Sequence, residues 1–137
     1  MAGRRTDDTA VLGVTWTLDA SSRVWVGGHN LNARTELERH LLEVSRPPEG
    51  PLDVAFITPN APDEAVYFAG KLRTRLALGA SLWVVLPLSH APHAAEFNGS
   101  RDDLIVGMFE RGFAEAGTAT IGDGYTAIGF RPDDPFA

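Results

Sequence analysis

Cysteine is absent from the 137-residue chain. That excludes disulfide staples, thiolate nucleophiles, Cys-ligated zinc and iron–sulfur clusters. Basic charge is scarce as well. Twelve Lys and Arg stand against eighteen Asp and Glu, a formal net charge of −6. Binding along phosphates needs clustered cations, so no nucleic-acid partner is expected. Lysine is nearly missing, with Lys71 the only one. The arginines are scattered, which fits GC-rich coding better than selection for bidentate anion recognition. No apolar run approaches the roughly 20 residues that span a bilayer, and no membrane association is expected. Met1 to Asp8 carries Arg4 and Arg5 without the apolar stretch of a secretory signal, so a cytoplasmic location is expected.

What is present is an ordinary globular composition, 44% hydrophobic and 22% charged. A chain of this length buries a core without a structural metal. One domain is expected over 9–131, with loose tails at 1–8 and 132–137.

Hydrophobic spacing divides that domain into elements. Val11 to Leu18 alternates, with Leu12, Val14, Trp16 and Leu18 on one face, which predicts a half-buried strand. Arg23 to Gly28 holds the continuous run Val24-Trp25-Val26, which predicts a strand buried on both faces. The period then becomes helical from Asn32 to Val44, with Asn32 as the expected N-cap. Arg46 to Pro51 is a Pro-rich break, and Leu52 to Thr58 is the next apolar strand. A second helix opens around Pro59 to Pro62, with Asn60 as N-cap. Ala65, Phe68, Leu72 and Leu76 form its buried stripe, and Gly79 its left-handed cap. Ala80 to Leu88 is the most hydrophobic strand and is placed centrally. Ser100 and Asp103 fit a capping box before a third helix. Ile105, Met108, Phe109, Gly112, Phe113 and Ala116 supply its inner face, and Gly117 closes it. Thr118 to Gly122 and Tyr125 to Phe130 flank Asp123-Gly124, a strong hairpin signal. Strands alternating with helices predict an α/β fold in three layers, with a mostly parallel mixed sheet and a C-terminal antiparallel hairpin.

Open parallel sheets bind ligands at the C-terminal ends of their strands. Three segments fall there. Gly27-Gly28-His29-Asn30 can cradle an anion with backbone N–H groups, or can simply be a turn that needs glycine. Thr58 and Asn60 stand in the same row and can bond a ligand's polar groups. His90 and His93 follow the central strand; with His29 they offer three imidazoles for a metal, with Glu96 or Asp63 as a fourth ligand. The looser reading of those histidines is solvated loop residues. One of them could also serve as a general base, but no nucleophile is paired with them by spacing. Trp16, Trp25 and Trp83 sit in strand patterns and are expected in the core. Trp16 on an edge strand would suit a homodimer or protein-partner interface. Lys71, Arg73 and Arg75 make a solvated helix face rather than a basic stripe.

From Arg23 to Phe130 the chain resembles class I, Rossmann-like methyltransferases. Val24-Trp-Val-Gly-Gly-His-Asn30 stands where the glycine-rich cofactor loop would be. Leu52-Asp-Val-Ala-Phe-Ile-Thr-Pro-Asn60 resembles the family's fourth strand, Ala80 to Leu88 the fifth, and Thr118 to Phe130 the closing hairpin. It is especially similar to a family of small bacterial proteins that look like truncated domains of this kind. The resemblance implies a cofactor edge at Gly27, Gly28, His29, Asn30, Thr58 and Asn60. It departs from the family in two places. The Gly-x-Gly-x-Gly loop is reduced to Gly27-Gly28, and the strand–helix pair that would carry a ribose-binding acid is missing. The expectation is a non-catalytic methyltransferase-like domain, with no cofactor, that works by ligand binding or protein interaction. A minimal S-adenosylmethionine-dependent methyltransferase and a histidine-based metal or sensor domain are the alternatives.

Overall fold

The computed structural model describes residues 8–11, 14–17, 23–39, 51–88, 96–121 and 124–133. In chain order the elements are β1 (Asp8–Val11), β2 (Val14–Thr17), β3 (Val24–Gly27), α1 (Leu31–Glu38), β4 (Leu52–Ile57) and α2 (Pro62–Leu72). A 3-10 turn (Arg73–Arg75) leads to β5 (Leu76–Pro87), α3 (Arg101–Glu110), β6 (Phe113–Ile121) and β7 (Tyr125–Pro132). Five strands form one sheet in the order β3-β4-β5-β7-β6. β3, β4 and β5 run parallel, and β7 is antiparallel to both β5 and β6. The mixed sheet with its closing hairpin is therefore as expected, and β5 is the central strand.

The strands' two-residue period decides which helix covers which face. Val54, Phe56, Trp83, Val85 and Ala127 point to one side, where Ala33 and Leu37 of α1 close the core. Ala55, Ile57, Leu82, Val84 and Ile128 point to the other, under Ala65, Ala69 and Leu72 of α2 and Leu104 and Met108 of α3. The result is a three-layer helix–sheet–helix sandwich.

Several expectations need correction. The opening strand is two strands, β1 and β2, which among the described residues pair only with each other, Asp8 opposite Thr17 and Val11 opposite Val14. Among the described residues β3 ends the five-stranded sheet, and Val24 and Trp25 are only half-buried, so its apolar run does not mean burial on both faces. α2 stops at Leu72, and Leu76 and Gly79 belong to β5. Leu52 pairs with Leu76 but Val54 with Ser81. The extra residues of β5 bulge there, with Gly79 at φ +82° and Leu78 fully exposed. α3 ends at Glu110 because Gly112, at φ +87°, turns the chain into β6. Phe109 is exposed, and Leu104 and Met108 form the buried face instead.

Candidate functional site

The parallel strands β3 and β4 end side by side, and the chain ties them together at once. Thr58 donates its backbone N–H to the Gly27 carbonyl at 2.8 Å, and Asn30 donates its own to the Thr58 carbonyl at 2.9 Å. Gly28 has to be glycine for this. Its φ is +132°, and a Cβ there would stand 2.3 Å from the Thr58 carbonyl oxygen.

Helix α1 starts from the same turn. Asn30, not Asn32, is the N-cap, and its Oδ1 accepts the Ala33 N–H at 3.1 Å. Asn30 is only 3% exposed, and its Nδ2 has no hydrogen-bond partner among the described residues. A buried donor in that condition is costly unless something accepts from it.

Glu64, in the first turn of α2, crosses to this turn. Its Oε2 accepts the His29 backbone N–H at 2.7 Å, and its Oε1 accepts the Asn60 backbone N–H at 2.8 Å. His29 Nδ1 also lies 2.5 Å from Oε2. A carboxylate only accepts, so Nδ1 is the protonated nitrogen. The Glu64 side chain is 15% exposed. The carboxylate thus sits on two backbone N–H groups just beyond the ends of two parallel strands, a donor pair of the kind that can hold an anion. Asn60 serves through its backbone here; Ala61 holds the N-cap position of α2, with no side-chain cap bond. Beside this cluster, the Trp25 ring lies against Gly27 and meets Phe68 at a tilt, with centroids 5.5 Å apart, and the His29 ring lies 6.4 Å from Phe68.

On the α1 side of the sheet, Glu96 joins two elements. It accepts from Asn32 Nδ2 at 2.6 Å and from the Tyr125 hydroxyl at 3.3 Å. Burial, then the negative charge and hydrogen bond of Glu96, and then the charge of Glu36, push the Tyr125 hydroxyl up to about 12. This edge of the sheet is thus lined by carboxylates on both faces.

All six residues expected at the edge, Gly27, Gly28, His29, Asn30, Thr58 and Asn60, meet in this cluster. Sequence reasoning missed what Glu64 and Tyr125 do there, and placed Glu96 only as a metal ligand. For Glu64 a signal existed, because it follows Pro62 at the position from which helix-start acids reach back to the chain before them. His90 and His93, and the side chain of Trp16, lie outside the described residues. Among the described residues no three His, Asp or Glu side chains converge as a metal site, and no helix is long and apolar enough to cross a membrane.

No protein-family model and no curated protein matches the sequence. Solved structures do match. The chain is similar to N,N-8-amino-8-demethyl-D-riboflavin dimethyltransferase from Streptomyces davawensis, at 17% identity and a TM-score of 0.53 over 84% of this chain and 43% of that one. It is similar to mitomycin 7-O-methyltransferase at 12% identity and a TM-score of 0.53, over 82% of this chain and 50% of that one. The fold is that of a class I methyltransferase domain. This methyltransferase-like chain spans half or less of the length of those two enzymes.

Proposed function

We propose that this methyltransferase-like domain works by binding rather than by methyl transfer. One observation carries the reading: the Glu64 carboxylate already holds the backbone donors of His29 and Asn60. Two features weigh against S-adenosylmethionine at this turn. Its anionic end would meet Glu64, and the Trp25 ring covers Gly27. β3 ends the sheet among the described residues, so no neighbouring strand brings the acid that the family resemblance sets on the ribose. No catalytic step is therefore assigned to these residues. Nitrogen-15 NMR titration with S-adenosylmethionine and with its demethylated product tests the reading. No saturable shift at Gly27 to Asn30 is expected up to millimolar ligand. Saturable binding there, with methyl transfer to any acceptor, would overturn it.

A second reading is favoured by Asn30 alone. Its Nδ2, without a partner among the described residues, suits a small uncharged ligand that presents a carbonyl oxygen. Asn30→Asp keeps the cap acceptor and removes that donor. Any small ligand found bound to the natural protein should be lost from this variant, and retention would rule the second reading out.

A further inference from the structure

Exposed large apolar side chains are few among the described residues, and three of them gather on two neighbouring helices. Tyr67 of α2 is 59% exposed, and Val106 and Phe109 of α3 are 57% and 67% exposed. Val106 and Phe109, three apart, share one flank of α3. Tyr67 and Val106 face a common groove of about 730 Å³ that runs between the helices. Its floor is tight: a Cβ on Gly107 would stand 2.7 Å from Val66 Cγ2, so the two helices touch there without a side chain between them. The groove's charged lining is Asp63, Asp103, Glu110 and Arg111, with Lys71 beside it. An aromatic face in this groove already accepts a cation from within the chain, since Lys71 Nζ lies 5.3 Å from the Tyr67 ring centroid.

We infer that the α2–α3 groove is a docking site for an amphipathic helix of another protein that carries Arg or Lys beside an apolar stripe. Helix-in-groove recognition needs an apolar floor for the stripe and charges along the rim to set register. Val66 at the Gly107 contact, flanked by Tyr67 and Val106, supplies the first, and Asp63, Asp103 and Glu110 supply the second. The same acids argue against a second copy of this chain as the occupant. A two-fold pairing would set the acidic rim against itself, on a molecule of net charge −6. A nucleic acid is repelled for the same reason. The inference uses nothing from the Gly27–Asn30 turn, so its failure would leave the preceding reading untouched.

The test is an NMR titration of the whole chain with two synthetic helical peptides. Both carry Leu at positions i, i+3, i+4 and i+7; one has Arg on the flanks and the other has Glu. The Arg peptide should give saturable shifts centred on Asp63, Tyr67, Val106 and Glu110, and the Glu peptide should give none. Tyr67→Ala with Val106→Ala should weaken the Arg peptide at least tenfold. Asp63→Asn with Glu110→Gln should weaken it several-fold and flatten its salt dependence. These side chains are exposed, and the unchanged spectrum of each free variant verifies its fold. The inference is overturned by equal binding of both peptides, by shifts elsewhere, by no shift at millimolar peptide, or by self-association of the free chain through this groove in sedimentation.

Discussion

Glu64→Ala removes the carboxylate that joins the first turn of α2 to the ends of β3 and β4. Two backbone N–H groups, of His29 and Asn60, lose their acceptor, and His29 Nδ1 loses its partner. A hydrogen bond to a charged group contributes about 1.5–3 kcal/mol. The His29 side chain is largely exposed, so water replaces part of each bond in the variant. We therefore take about 1 kcal/mol for each backbone bond, or roughly 2 kcal/mol in all. For a domain of this size that lowers the melting temperature by about 6–10 °C. Urea unfolding should show the same loss as a lower midpoint at unchanged slope. Glu64→Gln keeps one acceptor and should fall between wild type and Ala. The variant also makes a second demand on the reasoning. If Glu64 stands in for an anionic ligand, Glu64→Ala opens a site for one. Acetate at about ten times its dissociation constant would then restore about 1.4 kcal/mol in the variant and nothing in wild type, at matched ionic strength. A Glu64→Ala protein within 0.5 kcal/mol of wild type would refute the structural role. Destabilisation without any differential response to acetate would refute the stand-in role.

Gly129 lies opposite Trp83 in the β5–β7 ladder, and a Cβ there would come within 2.7–2.9 Å of the indole ring. Gly129→Ala should cost about 1–3 kcal/mol by overpacking, read from urea unfolding. The Tyr125 hydroxyl, raised by burial and by Glu96 to about 12 from an ordinary 10.0, favours the folded state while it is neutral. Its stabilising contribution is complete below pH 10 and is lost as pH rises toward 12. Ultraviolet titration of a Tyr67→Phe variant, in which Tyr125 is the remaining tyrosine, should place the midpoint near 12.

Element interiors were legible because their signal is local. The runs at 52–58 and 80–88 and the helical stripe of α2 identify themselves by period, and the order of elements then fixes the layers. Boundaries failed where two local patterns overlap. Phe109, Gly112, Phe113 and Ala116 keep helical spacing straight through the end of α3. Only the left-handed turn at Gly112 separates helix from strand. Leu76 to Ala80 is apolar without any period, and its membership of β5 depends on a bulge against β4. Asn30 and Asn32 are equal as caps by residue type. The choice between them comes from Thr58, nearly thirty positions away, which fixes the Asn30 backbone. The six residues named for the candidate edge come together for a similar reason of topology: parallel strands set their C-terminal ends in one row whatever the loops contain. That Glu64 fills this row is a contact across 35 positions, which no local pattern encodes.

The sheet order carries a consequence for how the chain is made. β7 lies between β5 and β6, so β5, the most hydrophobic strand, keeps one edge unpaired until β7 has left the ribosome. At about 5–20 residues per second, the roughly forty positions between the end of β5 and the start of β7 leave that edge open for about 2–8 s. Nascent chains in this interval present a sticky, unfinished sheet. Ribosome-stalled chains that stop short of residue 125 should therefore engage chaperones or aggregate, whereas chains extended past β7 should not.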